Sequence, residues 1–139
     1  MGEEPWSAER QDEADADFCA LFVLSPETSP CASAWIGDEP ARVGAALAER
    51  VQRWCDALGI SISDEPLGRV PRDHVAVLCG LLAHAWLSGP QGAPLADEIL
   101  TQGLTPWVHR FADAVQQKTS NPLYRATARL LQILVDTPP

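Results

Sequence analysis

Proline residues precede successive apolar runs in this 139-residue chain, and this arrangement favours a helical fold over any other. Asp38-Glu39-Pro40 is the first of these starts, because proline suits the first helical position, where its missing N–H is not needed. The apolar residues that follow are spaced by four and three, which puts them on one face of a helix: Val43, Leu47, Val51, Trp54 and Leu58. Gly59 supplies the stop expected at the C-terminal end.

The same signals predict four further helices downstream. The second runs from about Pro71 to Leu87, before Ser88-Gly89-Pro90, and the third runs from Pro94 to Gly103. The fourth starts at Thr105-Pro106 and the fifth at Asn121-Pro122. Their apolar faces carry Trp107, Val108, Phe111 and Val115, and then Leu123, Thr127, Leu130, Leu131 and Leu134. The alternation Ile60-Ser61-Ile62 is too short to predict a strand.

These five helices predict an all-α protein, folded as a single bundle of about five helices. Hydrophobic residues make up 46% of the chain, which is enough for one core in a domain of this size. No internal repeat and no second domain boundary is visible. Trp54, Trp86 and Trp107 fall on apolar helix faces and are expected in the core.

An acidic leader precedes the predicted helical domain, which spans residues 18–136. Residues 1–17 hold seven acids against Arg10, a net charge of −6 out of −9 for the whole chain. A segment with this charge and no aliphatic periodicity is predicted to be a disordered, solvated tail.

The charge distribution also limits the classes of partner. No basic face remains to neutralise phosphates, so nucleic acid is not expected as a partner, whereas a basic peptide is a plausible one. Residues 1–17 are the opposite of a secretory signal, and no apolar stretch approaches the roughly 18 residues that span a bilayer. We therefore expect a soluble, cytoplasmic protein without stable membrane insertion.

Four cysteines are present, and their spacing does not predict a metal site. Cys19, Cys31, Cys55 and Cys79 form no C-x-x-C pair, and the histidines do not complete a zinc or iron–sulfur pattern. Free thiols among apolar neighbours are the expected state, in agreement with a reducing compartment.

Pro71-Arg72-Asp73-His74 is the candidate functional motif, because it places an acid and an imidazole at a predicted helix start. The first helical turn has unpaired N–H groups and the positive end of the helix dipole. Two interpretations remain open: Asp73 and His74 cap and support the helix, or they contact a ligand or peptide. His74 near neutral pH would then be able to change charge and tune the release of a basic peptide.

Several segments together resemble the TorD/DmsD family of redox-enzyme maturation chaperones. Pro71-Arg72-Asp73-His74 resembles that family's Glu-Pro-x-Asp-His motif. Ser29-Pro30-Cys31-Ala32-Ser33-Ala34-Trp35 is similar to its Pro-Pro-aromatic-x-Ser-x-aromatic segment, and Leu21-Phe22 to the Leu-Phe before it. Two downstream segments resemble its Pro-Trp-x-x-Arg-Phe and His-Pro-Phe-Tyr-Arg-Ala elements: Thr105 to Phe111 and Asn121 to Ala126. The four landmarks keep the family's order over residues 18–136.

The resemblance implies a TorD-like helical fold and a cytoplasmic chaperone that is not itself an enzyme. Such proteins bind the twin-arginine signal peptide or the apoenzyme of a molybdoenzyme, and assist insertion of the molybdenum cofactor before export. No resident cofactor and no metal are expected, and contact with the molybdenum cofactor would be indirect, through the client. The residues that the resemblance assigns to client binding are Asp73, His74, Pro71, Trp35, Pro30 and Phe22.

The chain departs from the family pattern in its motifs and in its N-terminal part, and each departure predicts a structural difference. Val70 stands where the motif has its leading Glu, and Ser29 and Cys31 replace a proline and an aromatic, so we expect a shallower, less aromatic pocket. Family members have several helices before the Leu-Phe element, whereas here only the acidic leader precedes Phe18. We therefore expect an exposed apolar face, which either mediates a homodimer or is covered by a client or second subunit, unless the chain as given starts too late.

Two other functional classes remain as alternatives. One is a helical adaptor of the same fold that has lost binding of the client signal peptide. The other is an enzyme, for which no Gly-x-Ser-x-Gly, phosphate-binding glycine loop or His-Glu-x-x-His is present. A catalytic site would have to be assembled from Asp73, His74 and a cysteine.

Overall fold

The computed structural model describes residues 7–63 and 70–137, and the helices it contains form one bundle. The α-helices are α1 (Ala8–Phe18), α2 (Pro40–Leu58), α3 (Val75–Leu87), α4 (Ala93–Glu98), α5 (Val108–Lys118) and α6 (Pro122–Asp136). Two π-helical segments, Cys19–Val23 and Ile99–Leu104, continue α1 and α4, and 3₁₀ turns cover Pro26–Thr28, Ala32–Ala34 and Gly89–Gln91. Within the described residues there is no strand, so the predicted all-α class is confirmed.

All five predicted helices are present, with differences at their bounds. α5 starts at Val108, with Trp107 as its N-cap, rather than at Thr105-Pro106. α3 starts at Val75 rather than at about Pro71, because residues 71–74 form a turn that ends on His74 as the N-cap. The predicted third helix changes from α to π geometry at Ile99. The predicted stop of α2 is confirmed: Gly59 has φ +66°, a conformation that glycine adopts without steric cost.

α1 corrects the prediction of disorder for the part of the leader that the structure describes. The Ser7 hydroxyl caps this helix by accepting from the Arg10 N–H at 3.3 Å. Its inner face is short: Ala14 is buried, and the Tyr124 hydroxyl donates to the Ala14 carbonyl at 2.6 Å. Specific contacts thus hold a helix that has no aliphatic face of its own. The first six residues of the leader lie outside the described residues.

The core lies where α2, α3 and α5 meet the second π-helix. Two tryptophans, Trp54 and Trp107, are almost fully buried there with Leu78, Ile99, Leu104 and Val108. Each indole N–H has an acceptor: Trp54 donates to Glu98 Oε1 at 3.1 Å and Trp107 to the Gly103 carbonyl at 2.7 Å. Core positions for these two are confirmed, whereas the prediction for Trp86 is wrong: it is 51% exposed near the end of α3.

α6 lies at the edge of the bundle, where its leucines are only partly covered. Its main partner is α5. Two buried residues, Ala128 and Gln132, face that partner. Both ends of the Gln132 amide are engaged: its oxygen accepts from Gln116 Nε2 at 3.1 Å, and its nitrogen donates to Asp113 Oδ1 at 2.7 Å. These directed bonds fix the register of α6 on α5, and leave apolar side chains exposed on both flanks of α6.

Candidate functional site

The fold brings the Pro71-Arg72-Asp73-His74 motif against the segment that contains Pro30 and Cys31. Cys31 and His74 form an isolated antiparallel bridge. Around it, the Val75 N–H donates to the Pro30 carbonyl at 2.8 Å, and the Ala32 N–H donates to the Asp73 carbonyl at 3.0 Å. Two motifs that are far apart in the sequence thus form a single backbone unit at the start of α3.

Asp73 is buried in this unit and connects its two segments through a side-chain hydrogen bond. The residue is 5% exposed, and its Oδ2 accepts from the Ser33 backbone N–H at 2.8 Å. A buried carboxylate that accepts from a backbone N–H is a strong, directed contact. Of the two interpretations of Asp73, the geometry therefore favours support of the 29–35 segment over an open contact surface.

His74 is the N-cap of α3, a role usually taken by Ser, Thr, Asp or Asn. Its Nδ1 accepts from the Ala76 N–H at 3.1 Å. An imidazole that accepts at Nδ1 carries its proton on Nε2 when neutral. Burial lowers the pKa of His74 from its ordinary value of 6.5, and the nearby Asp73 carboxylate opposes part of this effect. His74 is therefore a neutral group near pH 7.

An apolar groove of about 290 Å³ opens beside this unit, between α5, α6 and the first π-helix. We call it the aromatic groove, because four aromatic rings line it. Phe22 is central: its ring centroid is 5.3 Å from Phe18, 5.7 Å from Tyr124 and 6.2 Å from Phe111. The remaining lining residues are Pro30, His74, Val75, Val115, Leu123, Thr127, Ala128 and Leu131. Such a surface suits an apolar segment of a partner.

Three of the six predicted site residues line the aromatic groove, namely Phe22, Pro30 and His74. The other three lie outside its lining. Pro71 is exposed, and its carbonyl accepts from the His74 N–H at 3.1 Å. Asp73 is buried in the contact with Ser33.

Trp35 contacts residues next to the groove without lining it. Its indole N–H donates to the Ser29 carbonyl at 2.9 Å, and its ring meets Phe111 edge-on at 6.1 Å. The Arg110 guanidinium donates to the Trp35 carbonyl. These contacts place Trp35 as a brace for the segment that presents Pro30.

Sequence reasoning missed several groove residues, above all Phe18, Leu123 and Tyr124. Phe18 and Phe22 are four residues apart, which places them on one side of a helical segment. That spacing was the available signal, and both residues lie within the expected domain. Tyr124 was expected to stabilise the last helix; it does so through Ala14 and also lines the groove.

The chemistry of Cys31 does not match that of a catalytic nucleophile, although Cys31 lies next to His74. Burial raises the pKa of the Cys31 thiol to about 11, with a further contribution from the Asp73 carboxylate. A reactive cysteine needs the opposite shift, because the thiolate is the nucleophile. Moreover, the Nδ1 atom of His74 is already bound to the Ala76 N–H.

Across residues 7–63 and 70–137, no group of three or more His, Cys, Asp or Glu side chains is placed to hold a metal ion. None of the described helices combines the length and apolarity needed to cross a bilayer.

Comparison with known proteins gives matches over most of the chain. The family model described as nitrate reductase delta subunit matches residues 4–113. A chaperone protein TorD of Vibrio cholerae is 30% identical over 134 residues, covering 88% of this chain and 60% of the relative. The chaperone protein TorD of a strain of Escherichia coli is 31% identical over 132 residues, covering 89% of this chain and 61% of the relative. The chain thus spans about three fifths of the length of these relatives, and no solved structure matches it.

Proposed function

Because this chain belongs to the nitrate reductase delta subunit family, together with the TorD-type chaperones, we propose that it is a chaperone for the maturation of a molybdoenzyme. The resemblance to the TorD/DmsD family that the sequence predicts is thereby confirmed. In this proposal the chain binds its client without catalysing a reaction, in the cytoplasm, and assists insertion of the molybdenum cofactor before the client is exported or assembled.

The observation that carries the proposal is the aromatic groove. Its lining is apolar apart from His74, Thr127 and the Tyr124 hydroxyl, and its rim includes exposed side chains such as Phe18 (48%) and Leu123 (41%). Apolar side chains left exposed around a concave surface are typical of a binding site for an apolar partner segment. A twin-arginine signal peptide has such a segment after its basic residues, so we propose this peptide as the part of the client that the groove holds.

The unit around Asp73 gives the groove a fixed wall in this proposal. Pro30 and His74 are linked through the bridge at Cys31, and both line the groove. A preformed wall lowers the ordering cost of binding, since its residues do not have to be immobilised when the client arrives.

A direct test compares two exposed leucines that differ in position. Leu123 lines the groove, whereas Leu87, 84% exposed at the end of α3, does not. We expect Leu123→Gln to weaken binding of a fluorescent twin-arginine signal peptide about fivefold or more, because about 1 kcal/mol of apolar burial is lost. Leu87→Gln should bind like the wild type.

The same pair of variants tests the function in cells. In a deletion strain grown anaerobically, wild type and Leu87→Gln should restore the activity of the client molybdoenzyme and co-purify with its precursor, whereas Leu123→Gln should do so less well. A wild-type protein that folds, binds no signal peptide and captures no molybdoenzyme would contradict the chaperone proposal and favour the helical adaptor.

A further inference from the structure

The acidic helix α1 reaches the aromatic groove at its C-terminal end. Its last residue, Phe18, belongs to the groove lining. Two hydrogen bonds attach the helix to α6: the Tyr124 hydroxyl donates to the Ala14 carbonyl at 2.6 Å, and Asn121 Nδ2 donates to Asp17 Oδ2 at 2.8 Å. The position of α1 at the groove is therefore set by side chains of α6.

A second cleft adjoins the aromatic groove. Arg10, Glu13, Asn121 and Pro122 line this cleft together with Leu123, which also lines the groove. Leu123 is therefore the point where the apolar surface passes into a polar one. An extended occupant that leaves the groove at Leu123 meets the side of α1.

The charge of α1 is strongly one-sided. The residues of α1 include five acids, Glu9, Asp12, Glu13, Asp15 and Asp17, and a single base, Arg10, for a net charge of −4. Of the cationic side chains near this end, Arg125 donates to the Gln116 carbonyl at 3.1 Å, and Lys118 is paired with Glu27. Within the lining of the cleft, Arg10 is balanced by Glu13, so the excess of negative charge lies on the other acids of α1.

The opposite end of the groove lacks a comparable charge. Pro30, His74 and Val75 line it there. Asp73, next to His74 in the chain, is 5% exposed, and its Oδ2 accepts from the Ser33 N–H. The two ends of the groove therefore differ: a helix with a net charge of −4 lies beside the cleft at Leu123, whereas the lining at Pro30 is apolar and neutral.

We infer that α1 sets the direction in which a segment lies in the groove. The occupant is a peptide with basic residues next to an apolar run: its basic residues lie along α1 and in the cleft at Glu13, and its apolar run lies between Phe22 and Pro30. This inference rests on the proposed function, which supplies a peptide for the groove, and adds to it a direction and the residues that determine it.

The physical reason is charge complementarity across a surface that is mostly exposed to water. Each exposed ion pair contributes about 0.2–1 kcal/mol, which is about 1.5- to 5-fold in affinity. A peptide bound in the opposite direction would lose these ion pairs. Its basic residues would also lie against the apolar lining at Pro30, where nothing compensates the cost of desolvating them. Complementary charge determines direction and specificity more than total affinity.

The test uses two charge-neutralised double variants and a synthetic peptide with two arginines followed by a run of leucine and alanine. Asp12→Asn/Glu13→Gln removes two charges from α1 and leaves Ala14, Asp17 and Phe18 in place. Asp38→Asn/Glu39→Gln removes two charges at the start of α2, a helix with no residue in the groove lining. Circular dichroism confirms that both variants fold.

We expect the α1 variant to bind the peptide about three- to tenfold more weakly than wild type at low ionic strength, and the α2 variant to match wild type. The difference should vanish at about 1 M salt, where the Debye length is about 3 Å. A peptide with glutamines in place of its arginines should bind both variants equally.

Photo-crosslinking then reports direction. A benzoylphenylalanine at the apolar end of the peptide should crosslink to the segments that contain Pro30 or His74, and one beside the arginines should crosslink to residues 10–13 or 121–123. Equal loss of affinity in the two double variants, or crosslinks in the opposite order, would overturn the inference while leaving the chaperone proposal intact. If no peptide binds to the wild type at all, the proposed function itself fails.

Discussion

Asp73 has two separable properties, its charge and its ability to accept a hydrogen bond. Asp73→Ala leaves the partly buried Ser33 N–H without its acceptor, which costs about 1–3 kcal/mol of the free energy of unfolding. Asp73→Asn keeps an acceptor oxygen, so we expect it to lose about 1 kcal/mol or less. Urea denaturation of both variants gives the comparison.

The same two variants distinguish a positioning role from a direct contact with the client. If Asp73 positions the wall of the groove, Asp73→Asn binds the signal peptide like the wild type, and Asp73→Ala binds it more weakly. An Asp73→Asn protein that folds normally but has lost peptide binding would show that the carboxylate itself meets the client.

His74 couples the stability of α3 to pH. Because burial holds the pKa of folded His74 below its ordinary 6.5, the unfolded chain takes up a proton first as pH falls. The contribution of His74 to stability is therefore complete above pH 6.5, and is lost progressively as pH falls from there through the lowered pKa. A proton on Nδ1 would also break the cap to Ala76.

Asparagine at this position gives a matched variant, because it caps helices well and does not titrate in this range. We expect the stability of His74→Asn to fall less than that of the wild type between pH 7 and 5. His74→Ala should lose about 1 kcal/mol above pH 6.5 through the missing cap. Identical pH slopes for wild type and His74→Asn, measured by denaturation at each pH, would contradict this assignment.

At the scale of elements, the junction between α3 and α4 depends on close contact at Gly92. A Cβ atom there would lie 1.9 Å from the Ala85 carbonyl oxygen, which is backbone at the end of α3. We expect Gly92→Ala to destabilise the protein by about 1–3 kcal/mol, because the two helices have to move apart.

Gly80 is the matched control for this substitution. It lies inside α3, and a Cβ there would meet nothing within 4 Å. Gly80→Ala should therefore stabilise the protein by about 0.5–1 kcal/mol, through the higher helix propensity of alanine. Thermal unfolding of both variants checks the signs; a stabilised Gly92→Ala would show that α4 is not packed as described.

The elements differ in how far the sequence could predict them. α2 and α6 have proline starts and apolar faces that sequence periodicity detects. α1 lacks an apolar face, and what holds it comes from Asn121 and Tyr124 at the far end of the chain. The groove shows the same division: Phe22, Pro30 and His74 belong to recognisable motifs, whereas Phe18 and Leu123 become neighbours only when α1 packs beside α6. Local pattern cannot report such long-range pairs.

At the scale of the whole molecule, a second apolar surface lies on the other flank of α6. Trp86, Leu130 and Ile133 are 51%, 65% and 49% exposed and line one cavity with residues of α4. The homodimer expected from the sequence stays a prediction, and this surface provides its test.

If a dimer forms through this surface, Leu130→Glu/Ile133→Glu should sediment as a monomer, since two buried charges per subunit would have to be desolvated. Leu24→Glu, a change at a leucine that is still more exposed (76%), should leave the dimer unchanged. Wild-type protein that sediments as a monomer at micromolar concentration would contradict the prediction.

Tyr124 has a practical consequence for following the molecule in solution, since it is the single tyrosine of a chain that has five tryptophans. Its ring lines the aromatic groove, and its hydroxyl is bound to α1. Biosynthetic replacement with 3-fluorotyrosine would therefore yield one ¹⁹F resonance. Occupancy of the groove would shift that resonance by ring currents, while release of α1 would move it through the loss of the hydrogen bond. A single nucleus can thus report on both events in the intact protein.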